Sequence, residues 1–181
     1  MSAIHPPSTR LWWKQQIDRV EGTWIAIAFL WCLLMFFMMP YWHVFGKQNL
    51  SNEAYRTTPE VYSKKAQAMV DKYTVRTETE EKMPVVHPPA GSDVYLIARL
   101  WAWWPILELE QGKSYRLHLS AMDYMHGFSL QPANINLQVV PGYEMVVNVT
   151  PTQAGTFSII CNEYCGIGHH KMVNRLYVVN K

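Results

Sequence analysis

Between Gly22 and Gly46 the chain runs for 25 residues without an Asp, Glu, Lys or Arg. Its centre, Trp24 to Met39, is apolar on every face, so no polar stripe is left to meet water. A run of that length spans a hydrocarbon core of about 30 Å as an α-helix, and one membrane-spanning helix over 22–46 is expected. Pro40 stands where it could end, and Trp24, Tyr41 and Trp42 fall near its two ends, as interfacial aromatics do. Arg10, Lys14 and Arg19 precede the run and Lys47 alone follows it closely. That balance keeps the N-terminus in the cytoplasm and exports the remainder. The rival reading is a cleaved signal peptide. An h-region holds only about 7–15 apolar residues, and no A-x-A-like cleavage site follows here.

From Asp93 onward the pattern changes to a period of two, the signature of strands with one buried face. Tyr95 to Leu100 is a candidate first strand. Tyr115, Leu117 and Leu119 alternate with Arg116 and His118, and Met145, Val147 and Val149 alternate with Glu144 and Asn148. Leu137 to Val140 stops at the turn signal Pro141-Gly142. Thr156 to Ile160 and Arg175 to Val179 complete the set. Short strands with Pro/Gly punctuation predict an antiparallel β-sandwich or barrel. The chain therefore divides into a polar N-terminus (1–21), the helix (22–46), a polar segment (47–92) and a β-domain (93–181). The third region carries Pro84, Pro88 and Pro89, and a helix is expected after Pro59. We read it as a linker or as a surface that packs on a neighbouring subunit.

Charge narrows the function classes. The net charge is +2, and 93–181 holds six basic and six acidic residues, so no basic stripe points to nucleic acid. Three cysteines fit an exported domain. Cys32 lies mid-helix and reads as a small packing residue. Cys161 and Cys165 lie on the oxidising side, where a disulfide is the ordinary expectation for two thiols taken alone.

Their neighbours change that expectation. Cys161-Asn-Glu-Tyr-Cys165-Gly-Ile-Gly-His169-His-Lys-Met172 places two thiols, an imidazole and a thioether at spacings of four, four and three residues. A further imidazole, His126, stands 35 residues before Cys161. Thiolate and thioether select a soft, redox-active metal such as copper. A structural zinc site would leave Met172 without a role, and a single blue copper needs only one cysteine. Spacing to Cys165 and Met172 favours His169 over His170, which is left for solvent or docking. In the strand pattern, Cys161 to Met172 is a loop between the last two strands and His126 follows another. A rigid sandwich presenting a metal between two loops is the cupredoxin architecture, so the expected fold is mainly β, a cupredoxin-like antiparallel β-sandwich with one N-terminal transmembrane helix.

This set resembles the dinuclear copper (CuA) site of cytochrome c oxidase subunit II, the electron-receiving subunit of heme–copper oxidases. The resemblance implies two copper ions bridged by Cys161 and Cys165, capped by His126 and His169, with Met172 as a weak axial ligand. It implies that Glu163 gives a backbone carbonyl and points its side chain toward the partner subunit, where magnesium or manganese binds. It places Asp123, in Asp-x-x-His, behind His126. It also places the cluster Trp101-Ala-Trp103-Trp104 beside the copper site, one ring of it on the electron path. On alternation alone, Trp101 and Trp103 share a strand face that Trp104 does not. Ile159, Ile160, Phe157, Phe128 and Tyr164 are candidates for the apolar shell around the sulfurs.

The implied partners are a heme-bearing catalytic subunit I, a periplasmic cytochrome c or small copper protein as donor, and membrane lipid. The implied location is a bacterial or archaeal cell membrane with the copper domain outside. A single anchor matches the smaller, B-type oxidases, whereas Glu163 is usual in the larger branch. Quinol-oxidising relatives lack these ligands. The alternatives are the copper subunit of a heme–copper nitric oxide reductase, a membrane-tethered copper chaperone, and a metal-free β-domain with a Cys161–Cys165 disulfide.

Overall fold

A computed structural model describes residues 16–46, 53–79 and 82–180. The chain forms two compact units, Met1–Lys47 and Gln48–Lys181. In the first, helix α1 covers Arg19–Phe45 and is long and apolar enough to cross a membrane. It starts three residues before the expected position, because the Asp18 side chain accepts the Glu21 N–H at 2.7 Å and caps the first turn. Pro40 does not end it. Proline's fixed φ is itself helical, so the chain continues to Phe45 without one hydrogen bond. Cys32 lies within this helix as a free thiol.

The second unit is a two-sheet sandwich. Its strands in chain order are β1 (Glu53–Arg56), β2 (Thr74–Glu78), β3 (Met83–Val86), β4 (Asp93–Arg99), β5 (Ala102–Trp104), β6 (Ile106–Glu110), β7 (Tyr115–Ala121), β8 (His126–Leu130), β9 (Ile135–Val139), β10 (Tyr143–Val149), β11 (Gly155–Cys161) and β12 (Val173–Val179). One sheet has the order β1-β10-β7-β4-β5 and the other β2-β3-β6-β12-β11-β8-β9. Leu96, Leu119 and Val147 of the first face Leu107, Phe128, Ile159 and Leu176 of the second in one core. The sandwich matches the expected architecture, but both sheets are mixed. β4 runs parallel to β7, and β6 runs parallel to both β3 and β12. Alternation sets the buried face of a strand without setting its direction.

The segment 47–92, read as a linker or subunit-packing surface, differs most. Its described residues belong to the sandwich. β1 pairs with β10, β3 with β6, and helix α2 (Pro59–Tyr73) covers the outer face of the first sheet. Thr58 caps α2 and Pro59 opens it, as expected after that proline. Tyr62 and Ala66 bury against Ile97, whose side chain alternates with the inward Leu96 and Ala98. The Tyr62 hydroxyl donates to the Leu96 carbonyl at 3.2 Å, and Lys65 pairs with buried Glu144 at 2.8 Å. Seven polar or charged residues against four buried ones hid this packing in the sequence: only a narrow stripe (Tyr62, Ala66, Met69, Val70) touches the sheet.

Candidate metal centre

Three strands deliver the chemistry to one end of the sandwich. β11 ends on Cys161, β8 begins on His126, and Cys161 stands opposite Phe128 in the ladder between them. The loop from Asn162 to Met172 returns to β12 and is closed by the Cys161 N–H donating to the Met172 carbonyl at 3.1 Å. A single 3-10 turn, His169–Lys171, sits within it.

This geometry gathers the expected donors. Ligand atoms of His126, Cys161 and Cys165 all lie within 4.8 Å of one another, and all three residues are buried. The sulfurs of Cys161 and Cys165 are 3.7 Å apart. Cys165 Sγ lies 3.6 Å from His169 Nδ1 and 3.7 Å from Met172 Sδ. The Cys161 thiol donates to the Glu163 carbonyl at 3.2 Å. His170 is exposed, as is the Glu163 side chain.

His126 gives the test of fit. Asp123 Oδ1 lies 2.8 Å from its Nε2, and an ionised carboxylate only accepts, so Nε2 carries the proton. Nδ1 is then a lone-pair acceptor, buried and without a hydrogen-bond partner. A buried polar atom left unpaired is costly, and a soft metal beside two sulfurs satisfies this one. The donor set fits copper. Burial first, then the hydrogen bond with Cys161 and its charge, push the Cys165 thiol up to about 11. The metal-free protein therefore holds a thiol there, and metal binding must release protons.

Asp123 also accepts the Leu100 N–H at 2.6 Å and the Tyr124 N–H at 2.6 Å. Burial alone would raise its carboxyl. The bonds from His126, Leu100 and Tyr124 outweigh burial and hold it below the usual carboxylate range. A folded-state value below the unfolded one gives stability that is present above about pH 4 and lost as pH falls through the folded value. For the metal-free protein, Asp123→Asn is expected to lower the urea midpoint at neutral pH and to flatten its decline between about pH 5 and 3. Equal declines in both proteins would remove Asp123 from this role.

The tryptophans are sorted differently from the alternation. Trp101 precedes β5, in the turn after β4, and is 40% exposed, whereas Trp103 is fully buried. They do not share a face, because the turn at Leu100–Trp101 breaks the strand period. Trp103 packs edge-on to His126 and Phe128, with ring centroids 6.3 and 5.4 Å away. Trp104 is half-buried against both cores. Of the expected apolar shell, Phe128 and Ile159 are buried, and Phe157 packs on the same core. Ile160 faces outward because its neighbours Ile159 and Cys161 face in, and Tyr164 is 78% exposed with its ring against His169.

Two glycines went unnoticed in the sequence. A Cβ on Gly127 would stand 2.7 Å from the Glu163 backbone nitrogen, and one on Gly168 would stand 2.2 Å from Cδ2 of Trp101. A glycine beside an imidazole in a strand is a signal of close backbone approach. Beside these residues, Leu100, Trp101, Tyr124, Met125, Tyr164 and Ile167 wall a groove of about 540 Å³ that reaches Cys165.

Comparison with known proteins agrees with this geometry. The family described as "Cytochrome C oxidase subunit II, periplasmic domain" matches residues 105–179. A Thermus thermophilus protein named "Cytochrome c oxidase subunit 2" is 35% identical over 114 residues, covering 60% of this chain and 84% of the relative. A "Probable cytochrome c oxidase subunit 2" of Streptomyces coelicolor is 37% identical over 76 residues, 42% of this chain and 24% of that protein. A solved heme–copper terminal oxidase dimer contains a chain that superposes with a TM-score of 0.55, at 19% identity, over 89% of this chain and 100% of its own length. That last likeness is one of fold.

Proposed function

Because this chain belongs to the cytochrome c oxidase subunit II family, we propose that it is the electron-receiving subunit of a membrane heme–copper oxidase. It takes electrons from a periplasmic cytochrome c or small copper protein at a dinuclear copper centre and passes them to heme in subunit I for oxygen reduction. The observation that carries this reading is the meeting of two free thiols, 3.7 Å apart, with the unpaired Nδ1 of His126 at one buried point. Bound copper would supply a one-electron couple at low cost in rearrangement.

The chain's own residues do the rest. Cys161 and Cys165 would hold copper as thiolates, with His126, His169, Met172 and the Glu163 carbonyl as the further ligands. Asp123 keeps the Nε2 proton on His126 and so turns Nδ1 toward the sulfurs. Trp103, Phe128 and Ile159 exclude water from the inner side. The exposed Glu163 carboxylate is free to meet subunit I and to take part in a magnesium or manganese site there. Helix α1 would anchor the subunit, with its N-terminus in the cytoplasm and the copper domain outside. The alternative, the copper subunit of a heme–copper nitric oxide reductase, would use the same electron-entry site.

The groove beside Cys165 is walled by apolar side chains, and 93–181 is electrically balanced. The donor would then dock through apolar contact with little steering. The second-order rate of electron uptake is expected to change less than about threefold between low and physiological salt, where steered pairs lose about 10–10³-fold. A steep fall with salt would replace this docking mode.

The direct test uses the full chain in detergent, reduced and given copper. A purple protein whose EPR hyperfine pattern reports one electron shared by two copper nuclei supports the reading. A colourless protein with a Cys161–Cys165 disulfide, metal-free after reduction and copper addition, ends it. Oxygen and nitric oxide turnover by the intact complex then separates the two acceptors.

A further inference from the structure

We propose that Trp101 is a positioning residue that plates the ligand loop and seals Cys165 from solvent, and that Gly168 is a glycine in order to admit its ring. Gly168 lies in a surface loop between exposed Ile167 and half-buried His169, yet is itself buried. A Cβ there would stand 2.2, 2.5 and 2.6 Å from Cδ2, Cε3 and Cγ of Trp101, so the indole rests on the glycine backbone. At Gly166 a Cβ would only touch the ring, 3.5 Å from Nε1, and it is the φ of +117°, strained for other residues, that asks for glycine. The ring therefore spans the loop from 166 to 168, between Cys165 and His169.

The loop's own side chains do not provide this cover. Ile167 is 87% exposed and Tyr164 is 78% exposed, whereas Cys165 is only 8% exposed. Trp101 and Cys165 border the same groove, with the indole as the flat wall over the loop. The turn that carries the ring is tied by the Leu100 N–H to Asp123, whose other oxygen holds His126. One carboxylate thus sets both the imidazole inside and the ring outside. Solvent access to sulfur ligands is one of the quantities that set a metal's potential, so this ring acts on the site through the loop it covers.

The test begins on the full chain without metal, reduced, in detergent. Alkylation of Cys165 by a small water-soluble reagent is timed and located by peptide mass analysis. Trp101→Ala is expected to raise the rate on the order of tenfold, because thiol reaction follows access. Gly168→Ala should do the same by displacing the ring, and Trp101→Phe should restore most of the protection. Trp101→Ala is folded by its helical and sheet circular dichroism or is replaced by the Phe variant as the graded probe, with the rate ordered Trp, Phe, Ala. A rate for Trp101→Ala within twofold of the parent overturns the proposal. With copper bound, the same variant is expected to shift the reduction potential and the visible spectrum. Unchanged spectrum and potential with slower donor oxidation alone would make Trp101 a docking contact only, and would also overturn it. The alkylation needs no metal, so its result stands apart from that of the copper reading.

Discussion

Cys161→Ser is expected to abolish copper binding and bring donor oxidation by the complex to background, while the domain stays folded. The side chain sits at the centre of the donor set. Its sulfur lies 3.2 Å from the Glu163 carbonyl and 3.7 Å from Cys165 Sγ, with His126 within 4.8 Å. A serine oxygen is a hard donor that stays protonated at neutral pH and does not replace a thiolate for a soft metal. The affinity loss should therefore exceed the 10–100-fold typical of losing an outer hydrogen-bond partner. The fold does not depend on the sulfur: residue 161 pairs with Phe128 and Met172 through its backbone. Metal content after dialysis against a chelator, read beside circular dichroism, checks both halves. A serine variant that keeps its copper and its spectrum would remove the bridging role.

Trp103→Ala should be the most damaging single change to stability, at about 3–5 kcal/mol for a large buried aromatic. Its ring is fully buried and packs edge-on to Phe128 and His126, contacts worth about 0.5–1.5 kcal/mol beyond burial. That loss is a large share of the ~5–15 kcal/mol that holds a domain together. Its Nε1 is buried without a hydrogen-bond partner, so Trp103→Phe deletes an unsatisfied donor along with part of the ring and should cost much less. Urea unfolding of the metal-free protein measures both. A loss below about 1 kcal/mol for the alanine variant would mean the cavity collapses or fills, against the usual behaviour of such sites.

The two variants act on different kinds of information. Cys161, Cys165, His169 and Met172 lie at the end of one strand and in the short loop after it, so their convergence could be expected from spacing. His126 could not be placed that way. It reaches the sulfurs because β8 pairs with β11, a contact between strands separated by β9 and β10 in the chain. Asp123, three residues before His126, was legible through the Asp-x-x-His pattern of the family that the chain resembles. The Leu100 N–H bond that makes Asp123 a link to the Trp101 turn was not.

Alone, the sequence determined the apolar helix, the alternating strands and the cluster of soft donors, because each rests on residues within about one turn or one strand of each other. Tertiary structure decided the parallel pairs, the inclusion of residues 53–79 and 82–92 in the sandwich, and which tryptophan is core and which is cover. It also decided why Gly127 and Gly168 have no side chain. These depend on which strand lies beside which and on how closely two loops approach. Such choices are settled by the packing of the whole core, where burying Tyr62, Trp103 and Phe128 together outweighs the local preferences of any one segment.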